Sequence, residues 1–438
     1  MRVSVIGCGY LGAVHASSMA LLGHDVVGID TDAAKVELLA AGEAPFFEPG
    51  LPEALREGVA SGRLRFSPNI ADAAGAQLHF LCVGTPQQRG SYAADLTYVD
   101  AAVTGLLPHL ADGDVLVGKS TVPVGTAARI AEQVAARAPG AVVAWNPEFL
   151  REGHAVNDTI HPDRFVYGLP AEPAAADHAR AALDEVYATP LAEGIPKVVA
   201  DYATAELVKV AANSFLATKI SFINAMAELC EATGADVVAL ADAIGYDDRI
   251  GRKFLGAGLG FGGGCLPKDI RAFMARAGEL GVDQALSFLR EVDAINMRRR
   301  VRMVDLAREV CGGSVAGRTV AVLGAAFKPS SDDVRDSPAL NVAAQLQLQG
   351  AHVRVTDPAA IANAERAWPT LAFAATPEEA AAGADVVLLA TEWAQYRQLD
   401  PVTFGDVVAA RRMIDGRNVL DPAAWRAAGW TYRAAGRP

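Results

Sequence analysis

The sequence predicts two doubly wound, parallel-sheet α/β domains joined by a long central helix. Three observations predict this. The chain opens on a strand, a glycine-rich turn, a helix and a second strand. The same opening theme returns at Thr319, where Val320-Ala321-Val322-Leu323-Gly324 parallels Val3-Ser4-Val5-Ile6-Gly7. Between the two lies one stretch, from Asp201 to about Gly234, that holds helical pattern with few glycines and no proline. At 438 residues the chain is also too long for one core.

In chain order, residues 3–6 form a short apolar run suited to a buried strand. Gly7-Cys8-Gly9-Tyr10-Leu11-Gly12 follows, then an Ala-rich helical stretch to about Leu22, a break at Gly23-His24, and a second strand ending at Asp30. Further strand-like runs at 78–83, 115–118 and 141–145 alternate with helical pattern, as a parallel sheet covered on both faces requires. Helical pattern continues past the central helix to about residue 308, interrupted by the Gly-rich stretch 256–264. A second alternating set follows at 353–357, 386–390 and 408–415, and its first turn reads Gly324-Ala325-Ala326 rather than a full Gly-x-Gly-x-x-Gly. The expected division is residues 1–200, 201–308 and 309–438.

Composition narrows the partners. The net charge of −12 disfavours general binding to nucleic acid or to an anionic membrane, and leaves phosphate binding to local devices such as helix N-termini. No apolar run reaches the roughly 18 residues of a membrane span. Arg2 followed by apolar residues has some likeness to a leader, but Gly7, Gly9, Gly12 and His15 favour a strand and turn. Five cysteines, Cys8, Cys82, Cys230, Cys265 and Cys311, are odd in number and far apart, which fits neither a disulfide framework nor a metal knuckle. A reducing cytoplasm fits, with most thiols as small buried groups, and no metal is expected.

Gly-x-Gly-x-x-Gly is a weak signal by itself. Here it follows a strand, opens a helix and has an acid, Asp30, closing the next strand, so the first domain is expected to be Rossmann-like and to bind a dinucleotide. Asp30 accepts from a ribose 2′-hydroxyl and repels a 2′-phosphate, which favours NAD over NADP. The bland alternative is a tight turn with no ligand. In Phe261-Gly262-Gly263-Gly264-Cys265-Leu266-Pro267-Lys268-Asp269, the glycines allow close approach to a ligand and Pro267 suits a first helical turn. Cys265 is then expected at a helix N-terminus beside Lys268, where thiolate is favoured, with Asp269 four residues on. A lone cysteine is more often buried and structural; that is the expectation for the other four.

At these residues the chain resembles the UDP-glucose 6-dehydrogenase family, which includes GDP-mannose and UDP-N-acetylmannosamine dehydrogenases. The resemblance runs through Gly7–Gly12, Phe80-Leu81-Cys82-Val83-Gly84-Thr85-Pro86, Ser120-Thr121-Val122-Pro123-Val124-Gly125-Thr126 and Asn146-Pro147-Glu148-Phe149-Leu150-Arg151-Glu152-Gly153. It continues with Glu206-Leu207-Val208-Lys209 leading to Asn213, the Cys265 loop, Ala326-Phe327-Lys328-Pro329 and Asp415-Gly416-Arg417-Asn418. It implies a four-electron oxidation of a sugar C6 alcohol to the acid, consuming two NAD and one water, through a thiohemiacetal and a thioester on Cys265. By the same resemblance Lys209 stabilises the oxyanion, Asn213 serves the same site, Thr121 and Asp269 hold a water, and Glu148 is the base for thioester hydrolysis.

The resemblance further assigns Gly7, Gly9, Tyr10, Leu11, Gly12, Asp30, Lys35, Val83, Thr85, Pro86, Thr121, Glu152, Lys268 and Arg335 to the cofactor. It assigns Glu148, Phe149, Leu150, Arg151, Glu152, Lys209, Asn213, Phe254, Gly262, Cys265 and Lys328 to UDP-glucose or a related nucleotide sugar, and Arg249 to a neighbouring subunit's substrate. It makes the C-terminal Rossmann-like domain the UDP-sugar binder and the central helices a dimerisation region, so a homodimer or higher oligomer is expected. Two positions depart from the family. Gly264 replaces a common serine, which should loosen the loop, and Gly256 stands where vertebrate relatives carry lysine. Within the class, UDP-N-acetylmannosamine or GDP-mannose oxidation is the alternative. Outside it stand a catalytically inactive NAD-binding protein and a two-electron hydroxyacid dehydrogenase, the latter indifferent to Cys265.

Overall fold

The computed structural model describes all 438 residues. It divides into two compact units, residues 1–212 with 271–281, and residues 213–270 with 282–438.

The first unit is built on an eight-stranded sheet in the order β3-β2-β1-β4-β5-β6-β7-β8. The strands are β1 (Arg2–Ile6), β2 (Asp25–Ile29), β3 (Leu64–Ser67), β4 (Leu78–Leu81), β5 (Val115–Gly118), β6 (Val142–Trp145), β7 (Phe165–Leu169) and β8 (Lys197–Asp201). Every residue of β4, β5 and β7 is buried, which is why these strands read as unbroken apolar runs rather than as alternation. The pairing is parallel except where Trp145 of β6 meets Gly168 of β7 antiparallel. The edge strand β8 keeps Val198 and Val199 exposed. Cys82 and Val83, expected to extend β4, leave the sheet and start a loop.

The second unit repeats the pattern with six strands, all parallel: β9 (Thr319–Leu323), β10 (His352–Thr356), β11 (Ala372–Phe373), β12 (Val386–Leu389), β13 (Arg412–Asp415) and β14 (Thr431–Ala434), in the order β11-β10-β9-β12-β13-β14. The run β3-β2-β1-β4-β5-β6 of the first sheet has the same order as the whole second sheet, and β7 and β8 extend it. The run at 408–411 does not continue β13; Ala409 N instead donates to Ala384 O at 2.9 Å. The helix Phe288–Val310 contributes Met303, Val304, Leu306 and Ala307 to the core beneath this sheet.

The turn after β9 shows why the second unit lacks a dinucleotide signature. Asp357, directly after β10, occupies the place that Asp30 has after β2. Its Oδ2 accepts from Ala325 N at 2.8 Å, Ala326 N at 2.9 Å and the Trp393 indole N–H at 3.1 Å. The carboxylate thus satisfies the very N–H groups that a phosphate would use.

The central helix runs unbroken from Tyr202 to Thr233, thirty-two residues and about 48 Å at 1.5 Å per residue. No helix in the molecule is long and apolar enough to cross a membrane.

Candidate active site

The glycine turn is constrained by contact. The first helix, Tyr10–Leu21, begins at Gly9, which offers no side-chain cap, so its first N–H groups keep no side-chain acceptor. A Cβ on Gly12 would lie 1.8 Å from Gly7 O, so no other residue fits the crossing of turn and helix. Asp30 Oδ2 accepts from Cys8 N at 2.9 Å and from Lys35 Nζ at 3.0 Å, while Oδ1 accepts from Asp32 N at 3.0 Å. Lys35, expected near the adenosine ribose, is thereby held to Asp30. These residues fit NAD: the backbone approach is open, donors stand at the helix start, and the acid closes β2. Thr85 Oγ1 donates to Thr121 O at 2.7 Å and Ser120 Oγ to Val83 O at 2.6 Å, so the loops carrying Val83, Thr85, Pro86 and Thr121 are laced together.

Within the same unit, the segment after β6 carries the next group of predicted residues. Glu148 Oε2 accepts from Leu150 N at 2.8 Å, and Oε1 pairs with Lys209 Nζ at 2.9 Å. The Lys209 ammonium also lies 5.5 Å from the centre of the Phe149 ring, whose other neighbour is the Arg164 guanidinium at 4.0 Å. Arg151 binds Asp158 in a two-pronged pair, Nε to Oδ2 at 2.8 Å and Nη2 to Oδ1 at 2.7 Å. Its charge is therefore already directed at a carboxylate of its own unit. Glu152 is half-buried on the same segment.

The second unit holds the cysteine. Cys265 is exposed, whereas Cys8, Cys82, Cys230 and Cys311 are buried. Burial pushes the Cys8 thiol well up and the Cys82 thiol up to about 12, which removes both as nucleophiles at neutral pH. Cys265 stands directly before the helix Leu266–Glu279, and its carbonyl accepts the first helical bond from Asp269 N at 2.9 Å. The buried Asp269 accepts from Asn213 Nδ2 at 2.7 Å and pairs with Lys268 Nζ at 2.6 Å. Asn213 is four positions after Lys209 on the central helix.

Around this loop, Gly262 has no room for a side chain, since a Cβ would meet Asp336 O at 2.3 Å. The expectation of a loosened loop at Gly264 is not what the packing shows. The guanidinium carbon of Arg335 lies 2.2 Å from where a Gly264 Cβ would be, and Gly263 N donates to Arg335 O at 2.9 Å. Arg335 thus fills the place of the serine side chain. Lys328 lies 5.5 Å from the Phe327 ring centre, and Phe254 takes a left-handed backbone conformation at φ 67°. Arg249 pairs with Asp247 at 2.7 Å and is otherwise extended into solvent. No group of three His, Cys, Asp or Glu is placed to hold a metal ion.

Three further residues were given no role from the sequence. Buried Glu48 accepts from Gly153 N at 2.6 Å, from Ala155 N at 2.7 Å and from the Tyr10 hydroxyl, joining the glycine turn to the segment after β6. Arg417 donates to the carbonyls of Gly260 at 3.0 Å, Phe327 at 3.2 Å and Ala390 at 2.8 Å, bracing the Gly-rich loop. Lys119, buried after β5, contacts Asn146.

With this geometry in view, the comparisons with known proteins are specific. Residues 1–190 match the NAD binding domain of the UDP-glucose/GDP-mannose dehydrogenase family, residues 203–298 its central domain and residues 321–422 its UDP binding domain. The chain is 41% identical over 441 residues to a UDP-glucose 6-dehydrogenase of Rhizobium meliloti, covering 100% of both chains. Among solved structures it resembles a UDP-glucose dehydrogenase from Pyrobaculum islandicum, with TM-score 0.90 and 40% identity, covering 100% of this chain and 98% of that one. It also resembles a UDP-D-ManNAc dehydrogenase from Pyrococcus horikoshii, with TM-score 0.85 and 25% identity, covering 100% and 99%.

Proposed function

Because the chain belongs to the UDP-glucose/GDP-mannose dehydrogenase family, we propose that it oxidises UDP-glucose to UDP-glucuronate in two NAD-dependent steps, with Cys265 as the covalent nucleophile. The observation that carries this is the single exposed thiol, at the start of a helix and four residues from a buried aspartate held by Asn213 and Lys268. UDP-glucose is preferred over UDP-N-acetylmannosamine or GDP-mannose. Identity of 41% to a UDP-glucose enzyme against 25% to a UDP-D-ManNAc enzyme, at full coverage in both, supports that order.

NAD, when bound at the glycine turn, accepts a hydride in each oxidation. The chain's own groups do the rest. The Cys265 thiolate adds to the C6 aldehyde, and the second oxidation leaves a thioester, a carbonyl activated enough for water to open. Lys209 places positive charge against the oxyanion, and Thr121 and Asp269 hold water. Glu148 takes a proton from the water that attacks the thioester. Asn213 orients Asp269. Phe149, Leu150, Arg151, Glu152, Phe254, Gly262 and Lys328 bind the nucleotide sugar, and Arg335 and Lys268 serve the cofactor. Functionally the chain reads as an NAD-binding segment (1–200), a central connector bearing the cysteine (201–308) and a UDP-sugar-binding segment (309–438). Four buried, unpaired thiols suit a reducing cytoplasm.

The protein acts as a homodimer or higher oligomer. Phe215, Phe222 and Leu229 recur every seven residues along the central helix and stay 67%, 48% and 57% exposed. Ile223, Ala227 and Cys230 on the same helix are buried in its own unit. Such an apolar stripe matches a partner helix rather than water. Phe222→Glu is expected to shift the sedimentation of the protein to that of a monomer; an unchanged sedimentation coefficient would remove this face from the interface.

The activity itself is tested by NADH formed per limiting UDP-glucose. Two per sugar is the expected result. One would end the chemistry at the aldehyde, and none, despite NAD binding, would leave a non-catalytic NAD-binding protein.

A further inference from the structure

Lys119 is a buried cation without a carboxylate in hydrogen-bond contact. It follows β5, is 6% exposed, and its Nζ donates to two neutral groups, Asn146 Oδ1 at 2.9 Å and the Tyr187 hydroxyl at 3.2 Å. The rings of Phe80 and Tyr187 lie 5.5 and 5.7 Å from it. The titratable groups around it are Cys82, Glu148, Lys209, His15 and Tyr187. Burial lowers its pKa to about 8, so it remains mostly charged at neutral pH. A fold gains little from such a charge, and an apolar side chain of similar length is commonly tolerated as well or better. Asn146 is held on both ends of its amide: Lys119 Nζ and the Tyr187 hydroxyl, the latter at 2.8 Å, donate to Oδ1, and Nδ2 donates to Val166 O at 2.9 Å.

What Lys119 does reach is a pair of strand ends. It precedes Thr121 by two residues on the segment after β5, and the asparagine it holds precedes Glu148 by two residues on the segment after β6. Asn146 N also donates to Gly118 O at 2.8 Å, so the two segments start in register. A cavity of about 30 Å³ is lined by Lys119, Asn146, Glu148, His15 and Tyr187, among others. The Glu148 carboxylate is thus flanked by two cations, Lys209 in direct contact at 2.9 Å and Lys119 on the cavity side.

We propose that Lys119 is a positioning residue for the hydrolytic step: through Asn146 it fixes the Asn146-Pro147-Glu148 segment, and with it the place of the Glu148 carboxylate relative to the water that attacks the thioester. This rests on the reading of Glu148 as the base that takes a proton from the attacking water.

The test is Lys119→Met in the full chain. Both UDP-glucose KM and NAD affinity should stay near wild type, while kcat falls about tenfold or more. The loss should fall on the step after the second oxidation, so a burst of two NADH per active site should precede the slow steady state. The melting temperature should hold or rise. A lysine serving only the fold would lower the melting temperature, and kcat would follow the folded fraction with no burst. That pattern, or a wild-type kcat, overturns the proposal. If Lys119→Met does not fold, Tyr187→Phe decides. It removes the hydroxyl shared by Lys119 and Asn146 and should give the same burst with a smaller fall in kcat; a turnover without a burst overturns the proposal. The NADH stoichiometry of the wild type tests the underlying reading separately.

Discussion

Replacing Cys265 by alanine is expected to abolish the double oxidation, with kcat falling by about 10³-fold or more, the scale on which loss of a covalent nucleophile is felt. The loss should be chemical and not structural. Cys265 is exposed, and the helix start draws on its backbone carbonyl, which alanine keeps, so stability should change by only about 0.5 kcal/mol. NAD affinity should persist, because the glycine turn lies in the unit of residues 1–212 and Cys265 in the other. Steady-state NADH production with UDP-glucose, together with NAD titration by fluorescence, checks both halves. Undiminished turnover in Cys265→Ala would mean a simple two-electron dehydrogenase that never forms a bond to the enzyme.

The features legible in the sequence are those whose physics is local. A glycine turn, its following helix and Asp30 lie within thirty residues, and each constrains the next through backbone geometry. Cys265, Pro267 and Asp269 likewise announce a helix start by spacing alone. The residues whose roles escaped notice act across long separations. Glu48 meets Ala155 over 107 positions, and Arg417 meets Gly260 over 157. Neither has a neighbour in sequence that marks its partner. Lys119 falls between the strand run 115–118 and the motif that starts at Ser120: a lysine after an apolar run reads as a solvated strand end, and nothing local shows that Tyr187 and Asn146 enclose it.

The fold divides in the same way. The fully buried strands β4 and β5 stand out as apolar runs, whereas β8 has a charged first residue, an acidic last one and two exposed valines. Its place at the sheet edge is what keeps it so. The antiparallel meeting of β6 and β7 could not be read from alternation of strands and helices, since that pattern speaks for crossovers and is silent about direction once they end. The second unit carried a further lesson. Its missing glycines were visible at Gly324-Ala325-Ala326, but the reason was not: Asp357 turns inward to take the N–H groups of the turn. The two acids close corresponding strands and each keeps Oδ1 toward its own loop, but Oδ2 of Asp357 takes two N–H groups of the turn and an indole, whereas that of Asp30 takes one, from Cys8, and a lysine.

Glu148→Gln should separate the oxidations from the hydrolysis. The amide oxygen still accepts from Lys209 or from Leu150 N, so the segment after β6 keeps its shape, but the amide takes no proton from water. The expected result is a burst of two NADH per active site followed by turnover about 10²- to 10⁴-fold slower, with the sugar acid retained on the Cys265 peptide and seen there by mass spectrometry. A slow reaction without a burst would put Glu148 before the thioester rather than after it. The variant should also lose stability, by about 1–3 kcal/mol, because the buried Lys209 ammonium gives up its charged partner. Lys119→Met should do the opposite, and the sign follows from its titration. The folded value of about 8 lies below the ordinary 10.5, so between those pH values the unfolded chain binds the proton and the native one does not. The penalty for burying the charge is therefore fully present below pH 8 and fades as pH rises toward 10.5. At roughly 1.4 kcal/mol per pH unit it amounts to about 3 kcal/mol at most. Thermal melts of both variants from pH 7 to 10.5 should diverge most at the low end. Two cations beside one carboxylate then carry opposite signs in stability, which is expected if Lys209 is held by that carboxylate and Lys119 is kept in place for what it does to it.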